Sequence, residues 1–318
     1  MDGALTLKLQ PVVGEGQSKS SYRNRVCLPL TVCKSTLGHN SFIIVLPGCN
    51  KRMDPKSGKN THALTWWRAL SLLGLVNICL WLSIWYIGPE SAGTYYALQI
   101  TLSGIYVFVC AYRSLFPRVD LERLVVVDST LSNIFLGRSA ATVAEICFGI
   151  QLGLLVHQLG AYAGLPWVQQ AAWLITSCTI IAQVFCWHSI LTLNHITQAV
   201  ESFLWAAAFS WLAALLAIIA VDTSGPVHGL AIAGIIGSGA FVTYVIAVDI
   251  PLYVRRFRQG KATGQQYLSL SQGARDAWYR REQNHSWDKW RDDALWLTPY
   301  FSIGAWFSMC LAFLALAL

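Results

Sequence analysis

The chain has 318 residues, of which 55% are aliphatic, aromatic or Cys and only 12% are charged, with a formal net charge of +7. An ordinary soluble domain is about 25% charged, so these residues cannot cover a water-soluble fold of this length, whereas apolar side chains in such excess are at home in lipid. The positive balance does not read as a nucleic-acid footprint: no nucleic-acid motif accompanies it, and anionic lipid headgroups supply the counter-charge at about 1 kcal/mol per basic side chain near the surface.

Residues 1–65 are polar, bear Ser, Gly and Lys, and hold only Asp2, Glu15 and Asp54 as acids. We read them as a cytoplasmic disordered tail, with an acid-poor targeting segment as the second reading. Residues 66–318 read as one all-α membrane domain, a polytopic bundle of seven transmembrane helices. The expected spans are 66–88, 94–112, 139–163, 166–191, 199–221, 228–250 and 294–318, each near the roughly 20 residues that cross a hydrocarbon core. All 23 Lys and Arg residues fall within 8–68, 113–138 and 255–291. Alternating spans bring these three blocks to one side, the positive-inside pattern, which predicts the amino terminus inside and the carboxyl terminus outside.

In the inner loop 113–138, Val125-Val126-Val127 is followed by the helix-start signal Asp128-Ser129-Thr130, predicting a short interfacial or re-entrant helix over about 121–136. The inner loop 251–293 interleaves Arg255-Arg256-Phe257-Arg258 with Trp278, Trp287 and Trp290, which suits a segment lying on an anionic leaflet. There His285, Asp288 and Asp292 would share one helix face, a solvated charged surface or a cover over the inner layer. In the sixth span Gly229, Ala233 and Gly237 recur every four residues, a pattern for close packing against another helix. The nine cysteines lack CxxC pairing and are expected as free thiols.

Ionisable groups inside spans are costly and mark functional positions. Glu145, His188, Glu201 and Asp249 lie near the inner ends of four different spans, and His195 lies in the adjoining turn. Glu145 and Asp249 are the expected acid/base pair, with Glu201 in support. His188 and His195, seven residues apart, are candidate ligands for a transition metal, unless the turn between them breaks the helix. Arg113 and Arg138 are placed to hold an anionic headgroup. Against these stand plainer readings: Glu145 favoured by a helix start or paired with a nearby Arg, Asp249 neutralised by Arg255-Arg256, and Glu201 solvated at the interface. His157 reads as a satisfied imidazole, and Gln151 and Gln158 as polar packing between helices.

None of the spans so drawn carries a lysine, so no retinal Schiff base can form. No Walker loop, HExxH motif, GxSxG elbow or Gly-rich dinucleotide turn occurs. The leading expectation is a membrane-embedded enzyme acting on a lipid or isoprenoid-like substrate, with membrane lipids as surroundings and a small hydrophobic or ionic substrate. The alternatives are a proton-coupled transporter or channel, which needs a continuous polar path, and a membrane scaffold or sensor, which needs none of the buried acids. Few polar groups fall in the outer half, which favours a site open to one side.

Overall fold

The computed structural model describes residues 55–88 and 93–316. The polar segment 1–65 lies outside them except for residues 55–65, which already belong to the first helix. Seven helices are long and apolar enough to cross a membrane. They are built from α1 (Pro55–Ile87), α2 (Thr94–Leu115), α3 (Ile134–Tyr162), α4 (Pro166–Ala171) with α5 (Trp173–Thr192), α6 (His195–Asp222), α7 (Gly225–Tyr244) running on into α8 (Ile250–Ala262), and α10 (Trp287–Pro299) running on into α11 (Ala305–Leu314). The all-α expectation holds, with longer sixth and seventh spans. The sixth candidate span covers 38 residues, roughly 57 Å at 1.5 Å per residue, so α7 and α8 together exceed the thickness of a hydrocarbon core.

Local sequence explains where the helices begin. Asn133 accepts the Leu136 N–H at 3.0 Å and starts α3, while Asn194 accepts the Ile196 N–H at 3.1 Å and starts α6; both satisfy otherwise orphaned donors. Leu193, at φ 58°, turns the chain between α5 and α6. Two π-helical segments interrupt the regular ladder, Val245–Asp249 in the sixth span and Tyr300–Gly304 in the seventh. Pro251 follows the first and Pro299 precedes the second, and each lacks the N–H that a regular ladder needs. Such wide turns recur at functional sites because they re-aim side chains.

The interior is mainly apolar, with polar side chains paired inside it. Gln99 and Gln151 bond to each other, and Ser308 donates to Gln151 Oε1 at 2.6 Å. Leu72, Trp85, Val184, Phe203 and Ile236 face outward and are exposed, as lipid contact requires. Gln151 thus does the packing work expected of it, as polar side chains do between membrane helices.

The basic end departs from expectation. The 113–138 loop forms no interfacial or re-entrant helix. It is a short hairpin, β1 (Arg118–Val119) against β2 (Leu124–Val125), followed by a 3-10 turn at Thr130–Ser132. The Asp128-Ser129-Thr130 signal is used, but for that turn, with the Ser129 side chain accepting the Ser132 N–H at 3.2 Å. Val125 and Val126 bury themselves in extended backbone, where β-branched side chains pack well.

Within 251–293, α9 (Leu270–Tyr279) and β3 (Glu282–Gln283) precede α10, and β3 pairs parallel to β2. Arg123 to Asp276 at 2.8 Å and Arg281 to Asp128 at 2.6 Å clamp the two loops together. Trp290 is therefore 0% exposed, 5.7 Å from the Trp66 ring, rather than lying on a leaflet; Trp278 alone of the three is exposed. His285 precedes α10 and bonds to the Val126 carbonyl at 2.8 Å, so it shares no helix face with Asp288 and Asp292.

The glycine pattern of the sixth span is also used differently. A Cβ added at Gly229 or Gly237 would meet nothing within 4 Å, whereas one at Gly234 would lie 2.6 Å from Leu216. Gly234, not the predicted stripe, makes the close contact with α6.

Candidate functional site

A cavity of about 550 Å³ opens among the second to seventh spans and the 113–138 loop, with polar and charged groups toward the basic end and aromatic groups beyond. It is lined by all three carboxylates singled out in the sequence, Glu145, Glu201 and Asp249, and by Arg113 and Arg138. Each of the five is buried. Three helices from distant stretches of the chain therefore deliver their acids to one space.

Glu145 is the most tightly held. Arg138, two helical turns earlier on the same face, reaches it at 2.6 Å, Gln183 Nε2 from α5 donates at 2.7 Å, and the Tyr300 hydroxyl donates at 2.9 Å to the other oxygen. Arg138 also donates to Gln183 Oε1, which closes the triangle. Glu201 accepts from Gln198 and, at 3.0 Å, from the Trp205 indole, one turn away on either side of α6. Asp249 lies in the π segment of the sixth span and accepts the Ser202 hydroxyl at 2.5 Å. Asp249 thus bonds to the residue that follows Glu201 on α6, and among the described residues neither acid is in an ion pair.

Five groups not singled out as site residues in the sequence, Arg118, Asp120, Arg256, Asp293 and Tyr300, complete the polar end. Arg256 grips Asp293 through two hydrogen bonds of 3.2 and 3.0 Å. Arg113 and Arg118 share Asp120, at 3.9 and 3.5 Å. These residues were visible only as members of basic blocks or charged loops, and no spacing links 118 to 113 or 256 to 293. Tyr300 was hidden in the same way, as one aromatic among many. Outside the spans, burial pulls the Arg118 guanidinium below the usual arginine range, with Asp120 opposing. Burial pushes the Glu122 carboxyl up, with Arg256 at 3.7 Å opposing.

The far part of the cavity is aromatic. Phe209 and Phe241 pack at 4.2 Å, and Phe148 and Phe307 at 6.0 Å. The cavity also has a side. The sixth span packs on the fifth and the seventh on the first and second, and between them the wall is Gly237, Ala240 and Tyr244 facing Trp296, Ile303 and Phe307. Gly237, Ala240, Ile303 and Phe307 are exposed, while Tyr244 and Trp296 stack across the gap at 5.8 Å. Exposed apolar groups that also line a cavity mark an opening toward the surroundings of the helix bundle.

The two histidines are elsewhere. His188 is exposed and pairs with Thr197 at 3.3 Å; His195 is buried beside the Tyr253 ring at 6.4 Å. Neither lines the cavity, because the Leu193 turn separates their helices. Among the described residues no group of three or more His, Cys, Asp or Glu side chains is arranged to hold a metal ion. His157 bonds to the Gln169 carbonyl at 3.2 Å, the satisfied imidazole expected of it. No family model, curated protein or solved structure matches the chain. The chemistry of the cavity is what remains to argue from.

Proposed function

We propose that this multi-pass membrane protein is an enzyme that takes a lipid or isoprenoid-like amphiphile from the bilayer and acts on it by proton transfer at the polar end of the cavity. The observation that carries the reading is the convergence of Glu145, Glu201 and Asp249 on a space whose other end is aromatic and whose side opens between the sixth and seventh spans. A substrate with a long apolar body and a polar end fits both halves, and a lateral opening lets it enter without crossing water.

The division of labour differs from the simplest sequence-based one. Both oxygens of Glu145 are already occupied by Arg138, Gln183 and Tyr300, which suits a group that holds Arg138 and Tyr300 in position rather than one that exchanges protons. Glu201 and Asp249 carry no cation and line the same cavity, which suits a pair in which one carboxyl gives a proton and the other takes one. The basic end is taken as the inner side, following the positive-inside rule.

The test is to reconstitute the protein in nanodiscs with a total lipid extract and follow the lipids by mass spectrometry. Conversion of a lipid species by the wild type, lost by at least about a hundredfold in Glu201→Gln and in Asp249→Asn, is the expected result; general acid/base groups contribute roughly 10²–10⁴-fold. Both variants are checked for unaltered thermal unfolding. No conversion, together with a proton flux into liposomes that depends on Glu201, would overturn the enzyme reading in favour of a transporter. Retention of cellular function in the triple variant lacking all three acids would point instead to a scaffold.

A further inference from the structure

The cations of the cavity are not equivalent. Arg138 is neutralised by Glu145, and Arg256 by Asp293. Arg113 and Arg118 have one carboxylate, Asp120, between them at ion-pair distance. Their hydrogen bonding is incomplete: Arg113 Nε, Arg118 Nε and Arg118 Nη2 are buried without an acceptor among the described residues, and Asp120 Oδ1, 3.5 Å from Arg118 Nε, is buried without a donor. An unsatisfied buried donor on a cation is expensive, and with Asp120 Oδ1 set against Arg118 Nε, Arg113 Nε and Arg118 Nη2 still lack an acceptor.

The two guanidiniums are held in place. Arg113 lies over the Tyr300 and Phe301 rings, 5.7 and 5.5 Å from their centroids. Arg118 lies over Tyr112 at 5.3 Å and donates through Nη1 to the Asn133 carbonyl at 3.2 Å. Its head occupies the space a side chain at position 137 would fill, since a Cβ on Gly137 would lie 1.4 Å from Arg118 Cζ. Both residues line the cavity.

We infer that Arg113 and Arg118 form an oxyanion subsite for the phosphate-type headgroup of an amphiphilic ligand whose apolar part occupies the aromatic half of the cavity. This rests on the reading of that cavity as a lipid-substrate site and names the substrate class. It replaces Arg138 as headgroup ligand, because the charge of Arg138 is already matched. Two fixed donors on separate guanidiniums suit a group with several equivalent oxygens, and arginine forks are the usual partners of phosphate.

The experiment is native mass spectrometry of the full chain in detergent, titrated with phosphatidic acid, with diacylglycerol of the same acyl chains, and with inorganic phosphate. The wild type binds phosphatidic acid at least about tenfold more tightly than either control, the scale of one charge-assisted hydrogen bond. Arg113→Gln and Arg118→Gln each weaken it by roughly tenfold or more, while Arg258→Gln, an exposed cation away from the cavity, does not. Should Arg118→Gln fail to fold, Arg113→Lys keeps the charge but lacks the Nε donor and still weakens binding. Folded Arg113 variants that bind phosphatidic acid like the wild type overturn the subsite. Inorganic phosphate bound as tightly as phosphatidic acid, with the same arginine dependence, overturns the amphiphile and leaves a free-phosphate site. Lipid conversion by a wild type whose phosphatidic-acid binding ignores both arginines sinks the subsite alone and leaves the enzyme reading standing.

Discussion

Arg138 and Glu145 are buried together, and their bond of 2.6 Å is shared with Gln183 and Tyr300. Such a pair adds little over a well-packed apolar one, but deleting one partner strands a charge at a cost of about 3–5 kcal/mol. Arg138→Met should therefore lower stability by about that much, and adding Glu145→Gln should recover most of it. Unfolding in mixed micelles checks both, and equal stability of the single and double variants would mean that the two side chains do not act as a pair. The polar residues inside apolar runs were readable one by one, since Glu145, Glu201 and Asp249 each break a hydrophobic stretch. Their partners were not, because Gln183 and Tyr300 come from α5 and the seventh span, 38 and 155 positions away.

Among the elements, the first and sixth spans are the least supported. Only 17% of the most apolar window of each is buried, compared with 61% for the third span. The sixth borders the cavity. It leans on α6 through Gly234 and leaves Gly237 facing open space beside the cavity. The absence of neighbours there makes Gly237 a place where bulk can be added without disturbing a core. Gly237→Trp should fold normally and reduce lipid conversion severalfold or more by filling the gap toward Ile303 and Phe307. Thermal unfolding alongside conversion checks this, and unchanged conversion would place the entry route elsewhere. The π segments were not readable at all. Pro251 and Pro299 stand beside them, but a proline does not say whether the chain kinks, breaks or widens.

At the scale of the whole molecule, the basic end carries an organised cap. Three short strands and α9 tie the 113–138 and 251–293 loops together, with Gly273 so close to the Leu191 carbonyl that an added Cβ would lie 1.7 Å from it. The positive-inside rule assigns this cap to the inner side. A Cys placed at the exposed Gln266 should then be labelled by a membrane-impermeant maleimide only after the membrane is opened. Labelling in sealed, right-side-out cells would invert the assignment.

Composition and periodicity alone determined the class, because a chain with this few charges and seven apolar runs has no other solvent than lipid. They also determined which carboxylates were out of place, since a charge inside an apolar run is conspicuous without any structure. The sharing of one cavity by those carboxylates and the incomplete pairing of Arg113 and Arg118 were decided by tertiary structure alone. So was the folding of two basic loops into a small sheet. Depth along a helix is a property of sequence position. Direction around the helix, and the partner met there, depend on how the neighbouring helices pack.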